Sequence, residues 1–222
     1  MVFWLSPTDC WSSGPDGLRP RQASVYTFLA AGGRPGPSRS LFGRLCSQIH
    51  RIRGSWSAGP VAGRIVKTRE DYLRLTLDIA RKARAAGNHP FGAILVGPDG
   101  AVLMEAGNAH GEAGDRTAHA ERVLMTRASQ TYSAEFMATC TMYANAEPCA
   151  MCAGSAYWAG VGRVVYGLSE RDLGALIGPH PENLTMDLPC RVVLGAGQRV
   201  VEVVGPLLEE EARAVHEGFW NG

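Results

Sequence analysis

What this sequence lacks narrows its class first. No uncharged apolar run in its 222 residues approaches the roughly 20 needed to cross a bilayer; the longest, Phe91 to Val96 and the stretch around Val164 to Tyr166, are strand-sized. A membrane partner is therefore not expected. No basic residue precedes the short apolar run Val2 to Leu5, which argues against a secretory signal peptide. Six cysteines are too few and too unevenly placed for a disulfide framework, and two form a Cys-x-x-Cys pair. Metal or redox chemistry in a reducing compartment follows, with a cytoplasmic location expected. A strong net charge is missing too. The total is +1, and residues 1–65 hold eight Arg against two Asp, which leaves −5 for the remainder. That sign discourages an extended phosphate-tracking surface on the folded part and suits a small neutral substrate better than nucleic acid.

Residues 1–65 also lack Lys and Glu, and from Ser12 to Pro60 they are crowded with Gly, Pro, Ser and Arg without a sustained apolar period. Disorder is expected there. The composition also suits a mitochondrial transit peptide. No methionine falls between Met1 and Met104, so an extension upstream of a start near Val61 or Val66 is a third reading. The division is then an extension over 1–65 and one domain over 66–222.

Thr68 with Asp71 three residues on predicts a capped helix, carrying an apolar stripe through Tyr72, Leu75, Ile79 and Ala83 and ending at Gly87. Strands are expected at Gly92 to Val96 and Ala101 to Glu105, joined by a Gly-Pro-Asp-Gly turn. A helix over about Thr117 to Ser129, a strand over Cys140 to Ala144 and a helix opening at Pro148 come next. Arg163 to Gly167 reads as a strand, then an irregular stretch, a strand over Val200 to Val204 and a helix over Pro206 to Glu217. This order predicts an α/β domain with a mixed sheet and helices on both faces.

Cys149 and Cys152, at i and i+3 in a first helical turn, put both sulfurs on one face, and a helix N-terminus favours the thiolate. His119, in the first turn of the preceding helix, is a third donor for the same ion. A fourth is not obvious, as catalytic zinc requires. Glu121 lies two residues past His119, close enough to face a water at the open position and move its protons. The alternative is a structural zinc module with Cys140 or Cys190 as fourth ligand.

Thr117-Ala-His-Ala-Glu121 and Glu147-Pro-Cys-Ala-Met-Cys152 together resemble the zinc-dependent cytidine deaminase superfamily, in its guanine deaminase and tRNA adenosine deaminase branch, over about residues 68–170. The resemblance implies a three-layer α/β/α sandwich around a five-stranded mixed sheet, a homodimer, and a Zn2+-dependent hydrolase releasing ammonia from cyclic amidines. Asn108 would hydrogen-bond the substrate, with help from the N–H groups of Ala118 and Cys149. Pro90-Phe-Gly-Ala93 and Tyr157-Trp-Ala159 look like free-base guanine deaminases of purine metabolism, so that Phe91 would line the base pocket, or else be ordinary core.

Two departures bear on substrate. Leu168-Ser-Glu-Arg-Asp172 stands where tRNA deaminases carry a Lys-Thr-Gly-Ala-like stretch, and Ile177-Gly-Pro-His-Pro-Glu-Asn183 replaces the acidic Phe-Asp-Asp-like segment of guanine deaminases. Glu182 or Asn183 would then be contact candidates. Phe219 and Trp220 would either close a partner's site or pack on their own core. The expected substrate is a small heterocyclic amine, guanine-like; the alternative is adenosine in tRNA, with the Arg-rich extension holding phosphate.

Overall fold

Thr68 forms the reciprocal cap that its spacing predicts. Its hydroxyl accepts the Asp71 N–H at 3.2 Å, and the Asp71 carboxylate accepts the Thr68 N–H at 2.9 Å. Two of the orphan donors at a helix start are satisfied in this way. Helix α1 (Arg69–Ala85) follows. The computed structural model describes residues 67–183 and 185–220. The expected disorder of 1–65, and the domain division drawn there, lie outside the described residues.

After α1 come strands β1 (Gly92–Val96) and β2 (Val102–Gly107), then helices α2 (His110–Ala113), α3 (Ala120–Thr131) and α4 (Ala134–Met137). Strand β3 (Thr141–Ala146), helix α5 (Ala150–Ala159), strand β4 (Arg163–Leu168) and helices α6 (Glu170–Ile177) and α7 (Cys190–Gly195) follow. Strand β5 (Glu202–Val204) and helix α8 (Glu209–Ala214) complete the order.

The five strands form one mixed sheet in the order β2-β1-β3-β4-β5. β1 runs antiparallel to both β2 and β3, while β3, β4 and β5 are parallel. Strand periodicity divides the core between two faces. Ile94, Val96, Tyr143 and Val165 pack under Tyr72, Leu73 and Ile79 of α1. Leu95, Met142, Ala144 and Val164 point the other way, against Leu124 and Met125 of α3, Ala153 and Ala156 of α5, and Leu194 of α7. The expected three-layer α/β/α arrangement is thus present, with β1 and β3 buried along their whole length.

Four expectations need correction. The helix after Thr117 begins only at Ala120, because the Asp115 carboxylate accepts both the Thr117 N–H and hydroxyl and holds the chain in a turn. Pro148 precedes α5 rather than opening it. The stretch read as irregular contains α6 and α7, and the last helix, Glu209–Ala214, is shorter than the expected Pro206 to Glu217, starting only after Leu208 takes a left-handed conformation at φ 56°.

Buried Asn145 on β3 fixes the entry to β1, since its Oδ1 accepts the Gly92 N–H at 2.8 Å and its Nδ2 donates to the Pro90 carbonyl at 3.0 Å. Here α1 crosses so close that a Cβ on Gly92 would lie 2.5 Å from the Thr76 carbonyl oxygen and 2.8 Å from the Ala80 nitrogen, both backbone atoms. Gly92→Ala is expected to lift α1 and cost roughly 1–3 kcal/mol in urea unfolding. An unchanged midpoint and slope would contradict this packing.

Candidate active site

The parallel strands β3 and β4 end on the same edge of the sheet, where ligands of open α/β sheets bind. Two helices begin there, and neither has an ordinary cap. His119 is the N-cap of α3 and Cys149 that of α5; both are extended, and neither side chain accepts a capping hydrogen bond. Cys152 follows in the first turn of α5. His119 Nδ1 lies 3.7 Å from Cys149 Sγ and 3.6 Å from Cys152 Sγ, and all three donor atoms fall within 4.8 Å of one another.

Tetrahedral zinc, with Zn–S near 2.3 Å and Zn–N near 2.0 Å, requires S···N edges of about 3.6 Å. The donor set fits that ion. Neither Cys140 nor Cys190 joins the cluster among the described residues, so the fourth thiolate of a structural site does not come from them.

Burial shapes the electrostatics. A hydrogen bond from Cys152, reinforced by His119, draws the Cys149 thiol down to about 4, while Cys152, the donor of that pair and itself buried, is pushed well up. One thiolate is therefore held by the donors alone, and a divalent cation is what allows both. The hydrogen bond with Cys149 raises the His119 imidazole. Glu121, in the first turn of α3 and 6% exposed, has an oxygen 3.7 Å from Cys152 Sγ. Burial pushes its carboxyl up to about 7.

Beside the cluster is a cavity of about 100 Å³ whose lining includes Phe91, His119, Glu121, Cys149, Glu170 and Asn183. Residues 66–168 match the family described as the cytidine and deoxycytidylate deaminase zinc-binding region. A probable cytosine deaminase of Schizosaccharomyces pombe is 41% identical over 153 residues, 68% of this chain and 91% of the relative. The chain belongs to this deaminase family.

Other relatives act elsewhere. A tRNA-specific adenosine deaminase of Haemophilus influenzae is 34% identical over 48% of this chain and 62% of its own. The guanine deaminase from Nitrosomonas europaea superposes with a TM-score of 0.60, covering 72% of this chain and 88% of its own, at 23% identity, a likeness of fold alone. The chain is thus a hydrolytic nucleobase or nucleoside deaminase of a zinc-binding family.

Not every residue singled out by sequence meets in the cavity. Phe91 does. Asn108 is buried and its Oδ1 accepts the His110 N–H at 3.0 Å, but it is not among the residues lining this cavity. Its Nδ2 is buried without a partner, a state that costs about 1–3 kcal/mol unless a ligand relieves it. Ala118 is buried and spends its N–H on the Asp115 carbonyl at 2.9 Å, so that donor is already committed. Glu182 does not line the cavity; it is exposed and lies 3.5 Å from His89. Trp220 is buried in its own chain, 6.2 Å from Phe91 and 5.0 Å from His89 between ring centroids. Phe219 packs with it.

Two buried acids escaped the sequence reading as functional residues. Glu147, directly before the Pro-Cys pair, accepts the N–H of Glu170 at 3.0 Å and of Cys190 at 2.8 Å, tying the starts of α6 and α7 to the start of α5. Glu170 lines the cavity, and burial, with Cys149 next, raises its carboxyl to about 7. The only sequence signal for its placement is Ser169, whose hydroxyl accepts the Asp172 N–H and caps α6.

Hydrogen bonds to a charged acceptor contribute about 1.5–3 kcal/mol each. Glu147→Ala is therefore expected to lose roughly 2–5 kcal/mol in urea unfolding of the zinc-loaded protein, and Glu147→Gln, which keeps one acceptor oxygen, about half as much. An alanine variant as stable as the parent would remove Glu147 from this role.

Proposed function

We propose that this chain hydrolyses the exocyclic amine of a free nucleobase or related amino-substituted heterocycle, releasing ammonia. The observation that carries the reading is Glu121, buried on the wall of a cavity of about 100 Å³ and touching the His119, Cys149 and Cys152 donor set. The net charge of −5 beyond residue 65 discourages a phosphate-tracking surface, which favours a small base over tRNA.

His119, Cys149 and Cys152 would hold the zinc, which when bound supplies a Lewis acid that makes water nucleophilic near neutral pH. Glu121 takes a proton from the attacking water and delivers it to the ring nitrogen beside the reacting carbon, then protonates the departing amine. A C–O bond forms, the C–N bond breaks, and both water protons end on the products. The place of Glu121 beside the donor set lets the one carboxyl serve both transfers.

Phe91 would pack on the ring, held in place by Trp220 behind it. Asn108 lies outside the cavity lining, so its contact with substrate rests on the family resemblance alone, while the Cys149 N–H is a donor in this reading. The guanine-like substrate suggested by Pro90-Phe-Gly-Ala93 remains one arm of the assay below. A homodimer is the assembly in this reading, with Trp158, 86% exposed on α5, offering apolar surface for it. No described helix is long and apolar enough to cross a membrane. A reducing, cytoplasmic setting is part of this reading, since Cys149 and Cys152 must stay reduced to hold a metal.

Glu121→Ala should keep its zinc and lose turnover by about 10²–10⁴-fold, whereas Cys149→Ala should lose both. Metal content by mass spectrometry and ammonia release decide; an active Glu121→Ala protein sinks the mechanism. Ammonia release is expected from a free base among guanine, adenine and cytosine. Faster release from nucleosides or from a tRNA anticodon stem would overturn the free-base reading.

A further inference from the structure

Three cavities share one side chain. Glu170, 7% exposed, lines the catalytic cavity, a neighbouring cavity of about 380 Å³ and a smaller one of about 110 Å³. The larger neighbour has both Glu147 and Glu170 in common with the catalytic cavity, and the smaller has Glu170, Thr185 and Met186. Few side chains therefore separate the reacting atoms from the outer space, and two of them are carboxylates.

Those two are held differently. Glu147 spends its oxygens on the N–H groups of Glu170 at 3.0 Å and Cys190 at 2.8 Å, which makes it a fixed post. Glu170 is anchored there by its backbone alone. Among the described residues no side chain hydrogen-bonds or pairs with its carboxylate, and the donor facing it is the backbone N–H of Met186. A buried carboxylate so poorly matched is relieved by a ligand that brings positive charge and N–H donors.

Deamination supplies such a ligand. When the C–N bond breaks, ammonia forms beside Glu121 while the ring still occupies the catalytic cavity. A second way out lets the small product leave without waiting for the large one. Around the larger outer cavity the carboxylates of Glu147, Glu170 and Asp187 outnumber the cations of Arg171 and Arg191. Arg171 lies 4.0 Å from Asp187, and Arg191 is held by the Tyr166 hydroxyl and the Gly205 carbonyl, each at 3.0 Å, so neither is paired with Glu170.

We propose that Glu170 holds the departing ammonia as ammonium and passes it into the cavity of about 380 Å³, a route separate from that of the ring. The nitrogen leaves carbon as ammonia, takes up one proton from solvent, as ammonia does in water near neutral pH, and donates an N–H to the Glu170 carboxylate. Glu147 stays in place, and only the Glu170 side chain has to turn. The route requires that the chain release ammonia and is the same for a base or a nucleoside.

The test uses the zinc-loaded full chain and whichever of guanine, adenine and cytosine it turns over fastest. Asp187→Trp sets a ring at an exposed position on both outer cavities. In a single turnover, conversion of the ring, read after acid quench, should stay within about two-fold of the parent rate, while ammonia reaching free solution, read with a coupled dehydrogenase, should slow at least about five-fold. Ammonia keeping step with the converted ring, or both slowing alike, overturns the separate route.

Ammonium chloride, compared with potassium chloride at equal ionic strength, should inhibit the parent and inhibit Glu170→Gln at least about ten-fold more weakly, with zinc content unchanged. Equal inhibition of the two proteins, or none in the parent, overturns the ammonium site. If only nucleosides yield ammonia, the free-base reading falls by itself and the same measurements on the nucleoside decide the route.

Discussion

Two helices that start at one point constrain the rest of this molecule. A helix N-terminus is ordinarily capped by Ser, Thr, Asp or Asn, whose side chains satisfy an exposed N–H at a gain of about 1 kcal/mol. α1, α4 and α6 follow that rule through Thr68, Ser133 and Ser169. α2, α7 and α8 begin at Ala109, Pro189 and Leu208, which bring no capping side chain, whereas α3 and α5 begin at His119 and Cys149, whose polar side chains do not turn back to their own backbone. Local stability is given up so that an imidazole and a thiol face each other at 3.7 Å. The sheet makes the meeting compulsory, since α5 leaves β3 at the edge where the loop before α3 returns from β2.

The acids around that point divide the labour by environment. Glu147 has both oxygens taken by backbone N–H groups and holds the loops in place. Glu121 is buried against sulfur, and Glu170 is buried against the cavity, and burial raises both carboxyls. Three carboxylates so close would repel one another; Glu147 is offset by its N–H donors, and a divalent cation between His119 and the cysteines would offset the charge near the others. Behind the cavity, Trp220 closes a cluster of Leu77, Leu173, Ile177 and Val215. The C-terminal tail thereby supports the wall that Phe91 presents.

Sequence made the frame legible wherever a local pattern coincided with a local cause. The Thr68/Asp71 box and the turn at Gly97 to Gly100 follow from neighbouring residues, and the element order implied a mixed sheet, though not its strand order. The donor set was legible because Cys149 and Cys152 are three apart and His119 and Glu121 two apart. What sequence missed depends on distant contacts. α7 has no side-chain cap of its own, and its first N–H is satisfied by Glu147, 43 residues earlier. Glu170 fell in a stretch read as irregular, and only the placement of α6 brings it to the cavity. Glu182 and Asn183 are sequence neighbours, and only the fold turns one outward to His89 and the other inward.

Zinc K-edge absorption of the purified, metal-loaded protein tests the central claim most directly, because it counts donors without assuming a substrate. A shell of two sulfurs near about 2.3 Å with two lighter donors near about 2.0–2.1 Å is predicted, one from His119 and one from water. Substitution of Glu121 should leave the two sulfurs unchanged. A third or fourth sulfur would mean a closed structural site, and the deaminase account of this cluster would then be wrong.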